Sequence, residues 1–196
     1  MQGVHRQLQS GNLPRFCVNQ KKRTRETDLN QIVRKVQSVL APLVRSNGAI
    51  TVHIALSQEP LKIRAASDLM VGAVVSLVRS ALQALPGSGT LSLSAAQVDF
   101  TYESIIDGNQ YRYGACAALA IAGRGIDGWG TLLDPILAGK PGNDKDRELS
   151  TAYTIIKEHH GSMRKQRIAG HGALITVYLP LARLTDRLAE KYDIFS

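Results

Sequence analysis

Between Ser67 and Leu91 the chain reads SDLMVGAVVSLVRSALQALPGSGTL, and these residues hold a helix, its stop and the start of a strand. Leu69, Val74, Val75, Leu77, Val78, Ala81, Leu82 and Leu85 recur at three- and four-residue steps, the spacing of one apolar helix face. Pro86–Gly87–Ser88–Gly89 ends that helix, because proline lacks the N–H a helix needs and glycine loses the most backbone entropy in one. Thr90–Val98 then reads as a strand, with a partner around Tyr111–Ile121 across a polar turn at Asp107–Gly108–Asn109.

Upstream, Thr27 or Asp28 can cap a helix over about residues 28–44, whose stripe is Ile32, Val33, Val36, Val39, Leu40 and Leu43. Asn47–Gly48 marks a turn, and Ala49–Leu56 alternates like a half-buried strand. Downstream, residues 123–145 are rich in Gly, Pro, Asp and Asn and read as a loop. Glu148–His160 predicts a third helix closed by Gly161, and Ala173–Leu179 a last strand stopped at Pro180. Helix, strand, helix, strands, loop, helix, strand predicts an α+β two-layer sandwich, a mixed sheet with three helices on one face. The core domain is expected over 27–181. Residues 1–26 read as a leader or linker, the tail of something upstream such as a helical dimerisation domain, and residues 182–196 as a C-terminal extension.

Composition fits one globular domain: 196 residues, 44% hydrophobic and 20% charged. Apolar runs such as Ala115–Ala122 fall short of the ~20 residues that cross a bilayer. Residues 1–20 lack the apolar core of a secretory signal. Cys17 and Cys116 alone make neither a disulfide framework nor a zinc site, so a reducing, cytoplasmic setting is expected. The net charge of +8 gathers at Lys21, Lys22, Arg23 and Arg25 and again at Arg164, Lys165 and Arg167, the candidate partner-binding residues. With no interleaved aromatics and no nucleic-acid motif, an acidic protein surface is the expected counterpart, and a basic nucleic-acid-associated protein is the alternative resting on charge alone.

Six ordered segments resemble the ATP-binding domain of sensor histidine kinases. Thr27–Leu43 is similar to the family's opening helix, where an Asp-Leu-Asn start is common. Leu85–Pro86–Gly87–Ser88–Gly89–Thr90–Leu91 resembles its Met-Pro-Gly-Gly-Gly-Thr-Leu-like turn, with Ser67–Leu85 as the helix before it. Ala120–Asp127 looks like the first glycine box, and Leu132–Lys140 like the Phe-Glu-Pro-Phe segment. Leu149–Gly161 resembles the helix after the second glycine box, and Gly170–Pro180 the closing Gly-x-Gly-Thr-x-Phe strand. The resemblance covers about residues 27–181 and implies a Bergerat-type ATPase fold.

The resemblance also implies where ATP and Mg²⁺ would be held. The asparagine that ligates the metal corresponds to Ser80, with Ser76 one helical turn earlier, and a serine hydroxyl is a poorer ligand than an amide carbonyl. The carboxylate that receives the adenine amino group corresponds to Ile121, although Gly123 and Gly125 keep the box's glycines. The second box, normally Gly-x-Gly-Leu-Ser, reads Asp146–Arg147–Glu148–Leu149–Ser150, placing acidic side chains where phosphates would meet a helix N-terminus. Ser76, Ser80, Ile121, Gly123, Gly125, Glu148 and Ser150 are therefore vestigial ATP-site positions, while Ser150 and Lys157 remain family-like.

No histidine stands in the phosphoacceptor setting of the family, His-Asp/Glu-x-x-x-Pro. His5, the helix-end pair His159–His160 and the loop residue His171 have structural readings. The expectation is a non-catalytic kinase-like module with no catalytic residue, cofactor or metal, binding an acidic partner in two-component signalling. That partner would be a response-regulator receiver domain or another kinase, with a homodimer through the leader as a second option. A divergent, active ATPase or kinase using ATP and Mg²⁺ is the alternative.

Overall fold

Asp28 starts the ordered core. Its Oδ1 accepts the backbone N–H of Asn30 at 3.0 Å, capping helix α1 (Leu29–Ser46), and the N–H of Leu61 at the same distance. The buried Asn30 amide donates to the carbonyls of Ser57 and Glu59, at 3.1 and 3.3 Å. The polar start of α1 thereby clamps the loop between strands β2 (Ile50–Ala55) and β3 (Lys62–Ala65). β3 pairs antiparallel with β1 (Arg25–Asp28), and Lys62 meets Glu26 at 2.8 Å on the surface of that pair.

The computed structural model describes residues 24–46, 49–85, 88–100, 104–106, 109–111, 114–123, 147–168 and 172–182. In α1 the stripe Ile32, Val33, Val36 and Leu40 is buried as the periodicity predicts. Val39 is not part of it: it is 54% exposed. Helix α2 (Ser67–Ala84) buries Met70, Ala73, Val74, Leu77, Val78 and Ala81, and stops where Leu85 turns extended before Pro86.

A five-stranded sheet has the order β2-β4-β7-β9-β8, with β4 at Gly89–Phe100, β7 at Gly114–Gly123, β9 at Gly172–Pro180 and β8 at Ser162–Ile168. β2 runs parallel to β4 and the remaining pairs are antiparallel, so the sheet is mixed. Alternate residues of the three central strands point to one face: Leu91, Leu93 and Ala95, then Ala117, Leu119 and Ile121, then Ala173, Ile175, Val177 and Leu179. They share one buried cluster with α1, α2 and α3 (Arg147–Glu158), giving the expected two-layer α+β sandwich with these three helices on one face.

Three strands, besides a small hairpin, escaped the sequence reading. β1 and β3 are four residues each and half exposed, with charged side chains on most outward positions. β8 holds the basic stretch Arg164–Arg167 that follows the third helix; it is an edge strand with Met163 buried and Arg164 exposed. The expected turn at 107–109 lies in a small hairpin of β5 (Ser104–Ile106) and β6 (Asn109–Tyr111), placed between β4 and β7. The leader before residue 24 and the extension after 182 lie outside the described residues. Among the described residues no helix is long and apolar enough to cross a membrane.

Candidate functional site

The expected nucleotide positions fall on α2, on β7 and on the first turn of α3. Ser76 and Ser80 stand one turn apart on α2, both half-buried. Arg79, beside Ser80, reaches across to the first turn of α3, where its Nη1 lies 3.7 Å from Glu148 Oε2. Their side chains are 44% and 61% exposed, so the pair contributes little to stability. It does put the chain's own carboxylate at the N-terminus of α3, where the dipole favours an anion. Leu149, Ala152 and Ile156 turn inward and seat α3 on the core.

Ile121 is fully buried. Register places it between Leu93 on β4 and Ile175 on β9, so three large aliphatic side chains form a row across the middle of the sheet. Gly123 ends β7, is buried, and sits opposite Leu91 and Ala173. Gly125 lies outside the described residues.

Ser150 is half-buried, and its carbonyl accepts the Thr154 hydroxyl at 2.9 Å inside the helix. The Lys157 ammonium lies 5.4 Å from the centroid of the Tyr153 ring, a cation–π contact within the same helix. Both residues that keep the family identity thus have local structural partners.

On the assignment that the resemblance implies, magnesium and a nucleoside triphosphate do not match these residues. The adenine amino group would meet an aliphatic side chain with no acceptor, and buried polar groups left unpaired are costly. The phosphates would meet the Glu148 carboxylate. Serine hydroxyls alone stand at the metal positions, and no cluster of His, Cys, Asp or Glu able to hold an ion occurs among the described residues.

Among the described residues, the basic candidates Arg25, Arg164 and Lys165 lie on β1 and β8. Arg25 is exposed on β1. Arg164 pairs in register with Thr176 and is exposed, whereas the half-buried Lys165 pairs with the core residue Ile175, so the two lie on opposite faces of β8. Lys21, Lys22 and Arg23, and the side chain of Arg167, lie outside the described residues.

Two features at the end of α3 carried no sequence signal for their role. His159 is buried, and its ring bonds across to the start of α2. His160, rather than Gly161, takes the left-handed conformation that terminates the helix, with φ 56°. Gly161 is required for room: a Cβ there would lie 2.8 Å from side-chain carbons of Ile156 and Leu179 and 2.9 Å from the Ile156 carbonyl oxygen.

No family model matches the chain, and no curated protein matches it in sequence. Solved structures do match. A catalytic domain of histidine kinase ThkA, nucleotide-free, superposes with a TM-score of 0.61 at 18% identity, covering 81% of this chain and 95% of that one. The mycobacterial sensor histidine kinase MprB gives 0.58 at 16% identity, with 81% and 97% covered. The Acinetobacter baumannii histidine kinase AdeS gives 0.54 at 14% identity, with 83% and 70% covered. At these identities the likeness speaks for the fold. The chain has the fold of the catalytic, ATP-binding domain of sensor histidine kinases, as the resemblance of its sequence segments implies.

Proposed function

We propose that this chain is a non-catalytic relative of the histidine-kinase ATP-binding domain that works as a protein-binding module in two-component signalling. The observation that carries the reading is Ile121, fully buried between Leu93 and Ile175 where the resemblance calls for a carboxylate acceptor. The Glu148 carboxylate at the start of α3 supports it, because a triphosphate would have to displace or tolerate that charge. Loss of the nucleotide groups beside an intact apolar core is what selection for the fold without the ligand produces. The partner fitting a chain of net charge +8 is acidic, such as a receiver domain or another kinase, in a cytoplasmic setting.

Titration with a Mg²⁺–ATP analogue, followed by thermal melting, tests the reading. A ligand in hundredfold excess over its dissociation constant adds ~2.7 kcal/mol. No shift is expected at millimolar nucleotide, and a reproducible rise of several degrees would establish the ATPase alternative instead. Reversing Lys21, Lys22, Arg23 and Arg25 to glutamate should slow association with an acidic receiver domain and leave melting unchanged. Tight binding of random-sequence nucleic acid with a steep salt slope would point to the third reading.

A further inference from the structure

Two polar ties join α2 to α3. Arg79, late in α2, meets Glu148 in the first turn of α3, and His159, just past the end of α3, meets Ala66, just before α2. The helices therefore run antiparallel with one tie at each end. Between the ties both bury aliphatic side chains in the common core, Ala73 and Leu77 from α2, Ala152 and Ile156 from α3.

The ties differ in chemistry. The first is an exposed ion pair, whereas the second is a buried imidazole bonded to backbone. A backbone N–H can only donate, so Nε2 of His159, 3.0 Å from the Ala66 nitrogen, carries no hydrogen. The hydrogen of the neutral ring is on Nδ1, 2.6 Å from the Ile155 carbonyl oxygen. A second proton has to go on Nε2, where it would face the Ala66 hydrogen and remove the acceptor. The Ala66 carbonyl in turn accepts the Met70 N–H that begins α2, so a loosened Ala66 loosens the first turn of that helix.

Charged groups surround this contact without bonding to the ring. Arg64 and Asp68 stand on either side of Ala66, Glu158 and His160 on either side of His159, and Arg164 on β8, all of them exposed. Lys157, beside the Tyr153 ring, Lys165 on β8 and Tyr178 on β9 are half-buried. The bonds of the imidazole itself go to one backbone N–H and one carbonyl.

We propose that His159 is an acid-sensitive latch between α3 and α2. The neutral ring holds the start of α2, and uptake of one proton releases it, while the apolar contact and the Arg79–Glu148 pair keep the helices together. The latch goes beyond the binding-module reading and does not depend on it.

The test uses the full chain labelled with ¹⁵N. Exchange of the Ala66 amide, corrected for the intrinsic pH dependence of exchange, should speed up at least tenfold between about pH 8 and pH 5, the interval in which imidazoles charge. Ring ¹⁵N spectra should show His159 with its hydrogen on Nδ1 at the upper end and doubly protonated at the lower. In His159→Gln, whose amide oxygen accepts at either pH, the corrected exchange should change less than twofold. His53→Gln, at an exposed position on β2, should respond as the parent does, with melting temperatures checked for both variants. An acid response that persists in His159→Gln overturns the proposal, and so does an Ala66 amide that stays equally protected across the interval. Should the glutamine variant fail to fold, the parent still decides: a hydrogen on Nε2 at pH 8 sinks the latch.

Discussion

His159, at the end of α3, accepts the backbone N–H of Ala66 on Nε2 at 3.0 Å, tying the last turn of one helix to the residue that opens α2. Its Nδ1 lies 2.6 Å from the Ile155 carbonyl, so the proton sits on Nδ1 and Nε2 is free to accept. Both residues are buried. One imidazole therefore meets a carbonyl of its own helix and the N–H of the residue that opens α2.

Replacing His159 with leucine leaves the Ala66 N–H buried and unpaired, which costs about 1–3 kcal/mol. His159→Gln, whose amide oxygen can still accept, should lose less. Urea unfolding of both variants checks the order. A loss below about 0.5 kcal/mol in the leucine variant would mean that Ala66 does not depend on the ring.

The neighbouring pair separates shape from conformation. Gly161→Ala forces a methyl group within 3 Å of Ile156 and Leu179, and overpacking of this kind costs about 1–3 kcal/mol. His160→Gly removes the steric cost of φ 56° and should stabilise by up to ~1 kcal/mol. Thermal melting of the two variants should move in opposite directions. Movement in the same direction would refute the assignment of the left-handed cap to His160.

Restoring the family's residues should not restore the ligand. Ile121→Asp exchanges a fully buried aliphatic side chain for a carboxylate and should destabilise by roughly 3 kcal/mol or more. The triple variant Ile121→Asp, Ser80→Asn, Glu148→Gly is expected to melt lower and to show no shift with Mg²⁺–ATP. A nucleotide-dependent rise in that variant would reveal a cleft that needs only its side chains back.

Cys116 supplies a pH signature. Burial, aided by the nearby Asp99 charge, pushes its thiol up from the ordinary 9.0 to about 11. The folded state thus favours the protonated thiol, and its contribution is complete below pH 9 and lost as pH rises toward 11. Cys116→Ala should flatten that part of the alkaline melting profile. In the native protein at pH 7 the same thiol should resist alkylation until the chain is unfolded, and rapid labelling would contradict its burial.

Periodicity alone located α1, α2 and α3 and the three central strands, because each buries a complete stripe or face of its own residues and the spacing of that stripe is a local property. The residues at Ser80, Ile121 and Glu148 could be set against the family's motifs for the same reason, since each motif is a local pattern. Edge strands are different. β8 carries its basic side chains on a ladder that only β9 defines, and β1 exists because β3 lies beside it. The bond from His159 to Ala66 spans 93 positions, and no pattern near either residue announces it. What depends on the periodicity of a single segment is written in the chain; what depends on pairing between distant segments had to wait for the fold.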